Sequence, residues 1–228
     1  MSNTPKRHIK DQIYETYLGR IQRGEVSYTD RLVDTAIAAE LKVSRMPVRD
    51  ALMRLTHEGY LTSTTRGFAL PNLQLKQILE IFELRRLLEP RAAALATAKL
   101  TQSDLDVLKA AVAQSERTLE TGDIESLYAA SETIRRTWIM AVPNVELRDT
   151  ILRYMAQIQS VRFATLGEAQ SLQVLVELQR QMLRAFSSRD AAHVELLLLR
   201  YVLAGEESFR RVKGLNDWPS DTESSSDP

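Results

Sequence analysis

Between Ser44 and Arg54 the chain reads Ser-Arg-Met-Pro-Val-Arg-Asp-Ala-Leu-Met-Arg, which places Arg45, Arg49 and Arg54 within ten residues. A further guanidinium follows in Thr65-Arg66-Gly67. Arg45 and Arg49 are four apart, so a helix projects both from one side. Each guanidinium can fork onto O6 and N7 of a guanine. Ser44 and the free amides of a first helical turn suit a phosphate. Arg66 beside Gly67, at the tip of a turn, suits a minor groove or another phosphate. The competing reading is a solvated basic helix face, and periodicity alone does not separate the two.

These side chains need elements to carry them. Ile9, Ile13, Tyr17 and Ile21 recur every four residues and predict a first helix ending near Gly24. Ala36, Ile37, Ala38 and Leu41 predict a short second helix, with Asp34 or Thr35 as its cap. A third follows "KVSR", with Pro47 near its first turn, Val48, Ala51, Leu52 and Leu55 on one face, and Gly59 at its end. Residues 60–70, "YLTSTTRGFAL", are rich in β-branched and aromatic side chains around a glycine turn, which reads as a β-hairpin. Two short helices, a basic third helix and a hairpin make a winged helix-turn-helix over residues 1–72, closed by Pro71-Asn72.

From residue 73 to 213 only helical patterns occur: 74–99, 102–121, 124–141, 145–165, 169–187 and 190–213, with Ser103 and Asp190 as caps. The fold class is therefore mainly α, a winged helix-turn-helix followed by an all-α bundle. Residues 214–228, with four acids and no base, read as a disordered acidic tail.

Composition narrows the chemistry. The 228 residues include no cysteine, which excludes disulfides, thiolate metal sites and a cysteine nucleophile. No nucleophile–base pair, paired acids or phosphate loop stands out, so an enzyme finds no support. Residues 1–72 hold 11 Lys/Arg against 8 Asp/Glu, a mildly basic front compatible with nucleic acid. No apolar run approaches the ~20 residues that span a bilayer, and the first residues lack a signal-peptide core; the expectation is a cytoplasmic protein.

The stretch "AAELKVSRMPVRDALMRLTHEGYL…TRGFAL" closely resembles the winged helix-turn-helix of GntR-family bacterial transcription regulators. Val43, Ser44, Arg45, Pro47, Val48, Arg49, Ala51, Leu52, Leu55, Glu58, Gly59, Arg66 and Gly67 fall in place. The resemblance implies that Arg45 and Arg49 contact bases, with Ser44, Pro47, Arg54 and the wing residues Thr65, Arg66 and Gly67 completing the DNA-binding set. The sequence departs from the pattern at Lys42, where glycine is usual, at Thr35, where some members carry an arginine, and at "EVSYTDRL" before the second helix.

The helical part resembles the FCD domain of the FadR-like subfamily, on "ILEIFELRRLLEPRAAALA" with Arg85 and Glu89 in place, on "AVPN" and on "LRAFSSRDAA". Most such domains hold a divalent metal through one Asp and three His. Here those positions carry Ser131, Arg135, Gln179 and Tyr201, and the three histidines, His8, His57 and His193, lie elsewhere. The resemblance thus implies no metal and no cofactor. It points to Arg85, Ser131, Arg135, Trp138, Gln179 and Tyr201 as an effector site in which Arg135 replaces the metal and holds an anionic metabolite. The alternative is that Arg135 pairs with a buried acid and the pocket is filled by protein.

Together these imply a homodimeric, ligand-responsive regulator, repressing until an organic acid binds, on a palindromic operator in double-stranded DNA. The alternative is a constitutive DNA-binding protein whose helical domain serves only dimerisation.

Overall fold

In the computed structural model, residues 8–22, 25–27, 29–159 and 169–215 are described. The helices are α1 (Ile9–Gln22), α2 (Asp34–Leu41), α3 (Arg45–His57), α4 (Leu75–Thr97), α5 (Gln102–Thr121), α6 (Ile124–Met140), α7 (Val145–Gln157), α8 (Ala169–Ser187) and α9 (Ala191–Val212). Between α3 and α4, β1 (Thr62–Thr64) pairs antiparallel with β2 (Gly67–Ala69), in the register Thr62–Ala69, Ser63–Phe68 and Thr64–Gly67. A mainly helical chain with one hairpin is the expected fold class. Among the described residues no helix is long and apolar enough to cross a membrane.

Apolar side chains gather into two cores. One joins residues between Ile13 and Leu70, around the fully buried Val48, Leu52 and Leu55 of α3. The other joins residues between Ile78 and Phe209, with Trp138, Phe82, Phe186 and Phe209 as its largest fully buried side chains.

The hairpin is held to the helices by Leu32, whose N–H donates to Phe68 O at 2.8 Å and whose carbonyl accepts from Phe68 N–H at 2.9 Å. Gly67 is required there: its φ is +115°, and a Cβ would lie 2.6 Å from the Leu32 carbonyl oxygen. The turn after α3 rests on the second domain through Gly59 (φ +88°), where a Cβ would lie 2.9 Å from the Arg153 carbonyl oxygen of α7.

Three expectations on local structure are corrected. The cap of α5 is Thr101, not Ser103: its Oγ1 accepts from Asp104 N–H at 3.2 Å while Asp104 accepts from Thr101 N–H at 2.8 Å, and this reciprocal pair needs the three-residue spacing. Neither Asp34 nor Thr35 caps α2; Val33 precedes the helix, and the Asp34 carboxylate is turned toward α3. The predicted helix 145–165 ends at Gln157, and the chain turns at the buried Ile158 (φ −96°, ψ 13°); residues 160–168 lie outside the described ones. Lys42 takes the left-handed conformation at φ 55° that ends α2, which explains why glycine is usual there. Asp190 caps α9 as expected, accepting from His193 N–H at 3.0 Å. The end expected near Gly24, and the tail beyond Leu215, lie outside the described residues.

Candidate functional site

The winged domain assembles one open hollow between the N-terminal ends of α2 and α3 and the hairpin. Arg45 and Arg49 line it with Asp34, Thr35, Ser63, Thr65, Arg66 and Gly67. The arginines are anchored by a carboxylate that sequence reading had assigned only as a cap. Arg45 Nε lies 3.0 Å and Arg49 Nη1 3.3 Å from Asp34 Oδ2. Both arginine side chains stay about half exposed, at 56% and 50%, while Asp34 is 8% exposed. Burial pushes the Asp34 carboxyl up, but hydrogen bonds and charge from Arg45, with a bond from Arg49, outweigh it and hold the carboxyl below its ordinary range. A depressed value means the brace is intact above the usual carboxylate range and is lost only as pH falls through the folded value. Arg45 spends its Nε on this brace, which leaves its terminal nitrogens as the outward edge of the fork.

Ser44 is exposed at the cap position of α3, with no side-chain hydrogen bond to the helix. Pro47 is the third helical residue and half-buried, its fixed φ suited to the first turn. Thr65 and Arg66 form the hairpin tip, and Thr64 Oγ1 accepts from Arg66 N–H at 3.2 Å.

Arg54 stands apart from this group. Nine residues at 100° each turn it half a revolution from Arg45. It lies over the Tyr14 ring at 3.8 Å, donates to Glu58 Oε1 at 3.0 Å, and is 3.7 Å from Asp11. Its contacts tie α3 to α1. Met46, 64% exposed between Arg45 and Pro47, joins the outward surface of α3 and was not singled out from the sequence, where a lone methionine carries no signal.

In the helical domain five of the six predicted residues join two buried hydrogen-bonded groups, and the sixth, Trp138, is fully buried. Glu89 of α4 is the centre of the first: its Oε1 accepts from Arg85 Nε at 2.8 Å, Arg135 Nη2 at 2.9 Å and Tyr154 OH at 3.4 Å. Arg85 and Arg135 are each 3% exposed and Glu89 0%. Among the described residues two guanidiniums thus share one carboxylate. Burial, and then the Glu89 charge, push the Tyr154 hydroxyl far up, so it remains a donor. Arg135 therefore has a buried acid partner, as the alternative to an effector site expects. In the second group Gln179 Nε2 of α8 donates to Ser131 Oγ of α6 at 2.9 Å and lies 3.4 Å from Tyr201 OH of α9. Gln179 Oε1, and Nε1 of the fully buried Trp138, have no hydrogen-bond partner among the described residues. Ser131 and Arg135, one turn apart on α6, link the two groups.

This donor set does not fit a divalent metal. It offers a guanidinium, an amide and two hydroxyls where a transition metal takes imidazole and carboxylate. His193 is exposed at the start of α9, away from both groups.

Compared with known proteins, residues 80–204 match the FCD domain family and residues 9–68 match "Bacterial regulatory proteins, gntR family". The chain belongs to the gntR family. It is a transcription regulator with a DNA-binding helix-turn-helix and an FCD domain, and not an enzyme. The "Nta operon transcriptional regulator" of Aminobacter aminovorans is 32% identical over 59% of this chain, and the chain spans just under two thirds, 64%, of that relative. The "HTH-type transcriptional repressor RspR" of Escherichia coli K12 is 21% identical over 95% of this chain and 96% of that one. Among solved structures, E. coli McbR/YncC superposes with a TM-score of 0.74 at 22% identity, covering 89% of this chain and 97% of that one.

In this GntR regulator, Asp34 and Glu89 are two acids whose bridging of arginines the sequence did not reveal. Glu89 is visible in the FCD motif but was named only as a landmark. Asp34 gave no signal, because its partners are 11 and 15 residues away and across a turn.

Proposed function

We propose that the protein binds a two-fold symmetric operator as a homodimer, with repression relieved when a small anionic metabolite binds the FCD domain. The observation that carries the DNA half is the pair of half-exposed guanidiniums braced on Asp34 beside the wing. Arg45 and Arg49 then read guanines, Ser44 and the α3 amides hold a phosphate, and Thr65, Arg66 and Gly67 follow the backbone or minor groove. Met46 lies where it would meet a thymine methyl. Arg54 serves the fold rather than the duplex. The two separate cores support a boundary near Pro71-Asn72.

Dimerisation is assigned to the outer face of α4 and α9. Leu84 and Leu87 on α4 and Leu196 and Leu203 on α9 are 42–66% exposed. The Arg91–Glu195 and Arg86–Glu206 pairs hold these helices antiparallel. Such leucines, exposed on neighbouring helices, suit a self-complementary two-fold contact. Leu87→Glu is expected to convert the dimer to monomer in light scattering and to remove tight operator binding; an unchanged mass would move the interface elsewhere.

For the effector, the Arg85 and Arg135 guanidiniums are donors suited to an anion, and Gln179 Oε1 and Trp138 Nε1, unpartnered among the described residues, call for one further donor and one acceptor. A hydroxy or amino acid meets these needs. A relative named as a transcriptional repressor supports the sign of regulation. The second reading, a constitutive DNA-binding protein, draws on the Arg135–Glu89 pair, which already neutralises one guanidinium. A thermal screen of organic acids separates them: a ligand at one hundred times its Kd adds about 2.7 kcal/mol of stability. The effector reading expects one acid class to do so in the wild type and not in Arg135→Ala. No shift across the acids would favour the constitutive reading.

A further inference from the structure

Next to the Gly59–Arg153 contact a cleft of about 430 Å³ opens between the two domains, within the size range of small-molecule sites. The winged domain contributes Gly19 and Gln22 of α1 and Tyr60; the FCD domain contributes α6 and α7, including Ala129, Met155 and Ala156. None of the residues discussed above as DNA or effector ligands lines it. Gln159, 5% exposed, is part of its wall, and neither amide atom of Gln159 has a hydrogen-bond partner among the described residues. A buried amide lacking both its donor and acceptor partners is costly, and such a group calls for a partner that supplies both. Among the described residues two carboxylates, Glu125 and Glu132, and one guanidinium, Arg136, also line the cleft, and together they disfavour an anion.

We propose that this cleft binds a small neutral or cationic molecule with a planar amide-type edge. The edge pairs with Gln159, one donor to its carbonyl and one acceptor to its NH₂, and the apolar body lies against Tyr60, Met155 and Ala156. Because the walls belong to different domains, an occupant favours the one placement of the winged domain in which both walls reach it. It is therefore a second input to operator affinity, opposite in charge preference to the Arg135 site. The binding claim stands without the regulator reading; only the coupling to DNA rests on it.

The test titrates full-length protein with benzamide, benzamidine and benzoate by calorimetry and saturation-transfer NMR. Benzamide and benzamidine are expected to bind in preference to benzoate. Binding should weaken at least tenfold in Gln159→Leu, which keeps the volume and removes the amide, and in Ala129→Trp, which fills the cleft from an exposed position. Gln159→Leu should melt no lower than the wild type, because an unpartnered amide contributes nothing to the fold. Three results would overturn the proposal: no binding of either amide-type probe, equal binding of benzoate, or affinity unchanged by both substitutions. A lower melting point for Gln159→Leu would also overturn it, since the amide would then have structural partners. None of these failures bears on operator binding by Arg45 and Arg49.

Discussion

Replacing Glu89 with leucine is expected to destabilise the protein by about 3–5 kcal/mol, the usual cost of breaking a buried ion pair from one side. The substitution removes the shared acceptor of Arg85, Arg135 and Tyr154, while both guanidiniums stay only 3% exposed. At about 2–4 °C per kcal/mol for a chain of 150–250 residues, the melting midpoint falls by an amount that scanning calorimetry reads easily. The companion variant changes Arg85, Glu89 and Arg135 to leucine together. Hydrophobic replacement of a whole buried charge cluster is often neutral or better, so the triple variant should recover most of the lost stability. It should also lose all response to organic acids. A Glu89→Leu protein as stable as the wild type would mean that the cluster is open to water and that the buried charge argument fails.

Arg45→Ala is expected to cost about 1–3 kcal/mol of operator affinity while leaving non-specific DNA binding nearly unchanged, because a base contact carries discrimination and a phosphate contact does not. Competition binding against a scrambled duplex at two salt concentrations gives both numbers. The same substitution removes one of the two cations from Asp34. Part of the loss could therefore come from a freed carboxylate facing the duplex, and the double variant Asp34→Asn/Arg45→Ala corrects for it. If specific and non-specific affinity fall equally, with the salt slope reduced by about one, Arg45 is a phosphate contact.

Local signals made much of the fold legible. The four-residue spacing of Ile9, Ile13, Tyr17 and Ile21 marks α1, and three of these side chains are buried, with Ile9 the exposed exception at the helix start. The Thr-Thr-Arg-Gly turn marks the hairpin because only glycine fits against the Leu32 carbonyl. Sequence was weaker where a residue's partner is distant. Arg54 reads like Arg45 and Arg49 in a count of arginines, and only the helical rotation and the position of Tyr14 separate it from them. Asp34 is a plausible cap by type, but α3 offers it two guanidiniums, which bind a carboxylate more strongly than a free N–H does. α7 ends at Gln157 with the chain turning at the buried Ile158, and no proline or glycine in the sequence marks that stop. In the FCD domain the substituted positions Ser131, Gln179 and Tyr201 do converge, yet their hydrogen bonds and the role of Glu89 as shared acceptor each depend on three helices meeting.

The most direct test of the account is to let the purified protein select its site from random duplexes several helical turns long. The predicted result is one enriched, two-fold symmetric sequence with guanines in each half-site and half-site centres one or more helical turns apart, about 10–10.5 base pairs each. It should no longer be enriched by Arg45→Ala or Arg49→Ala. Enrichment of nothing, or of a single asymmetric half-site, would contradict a dimer that reads DNA through the Asp34-braced arginines.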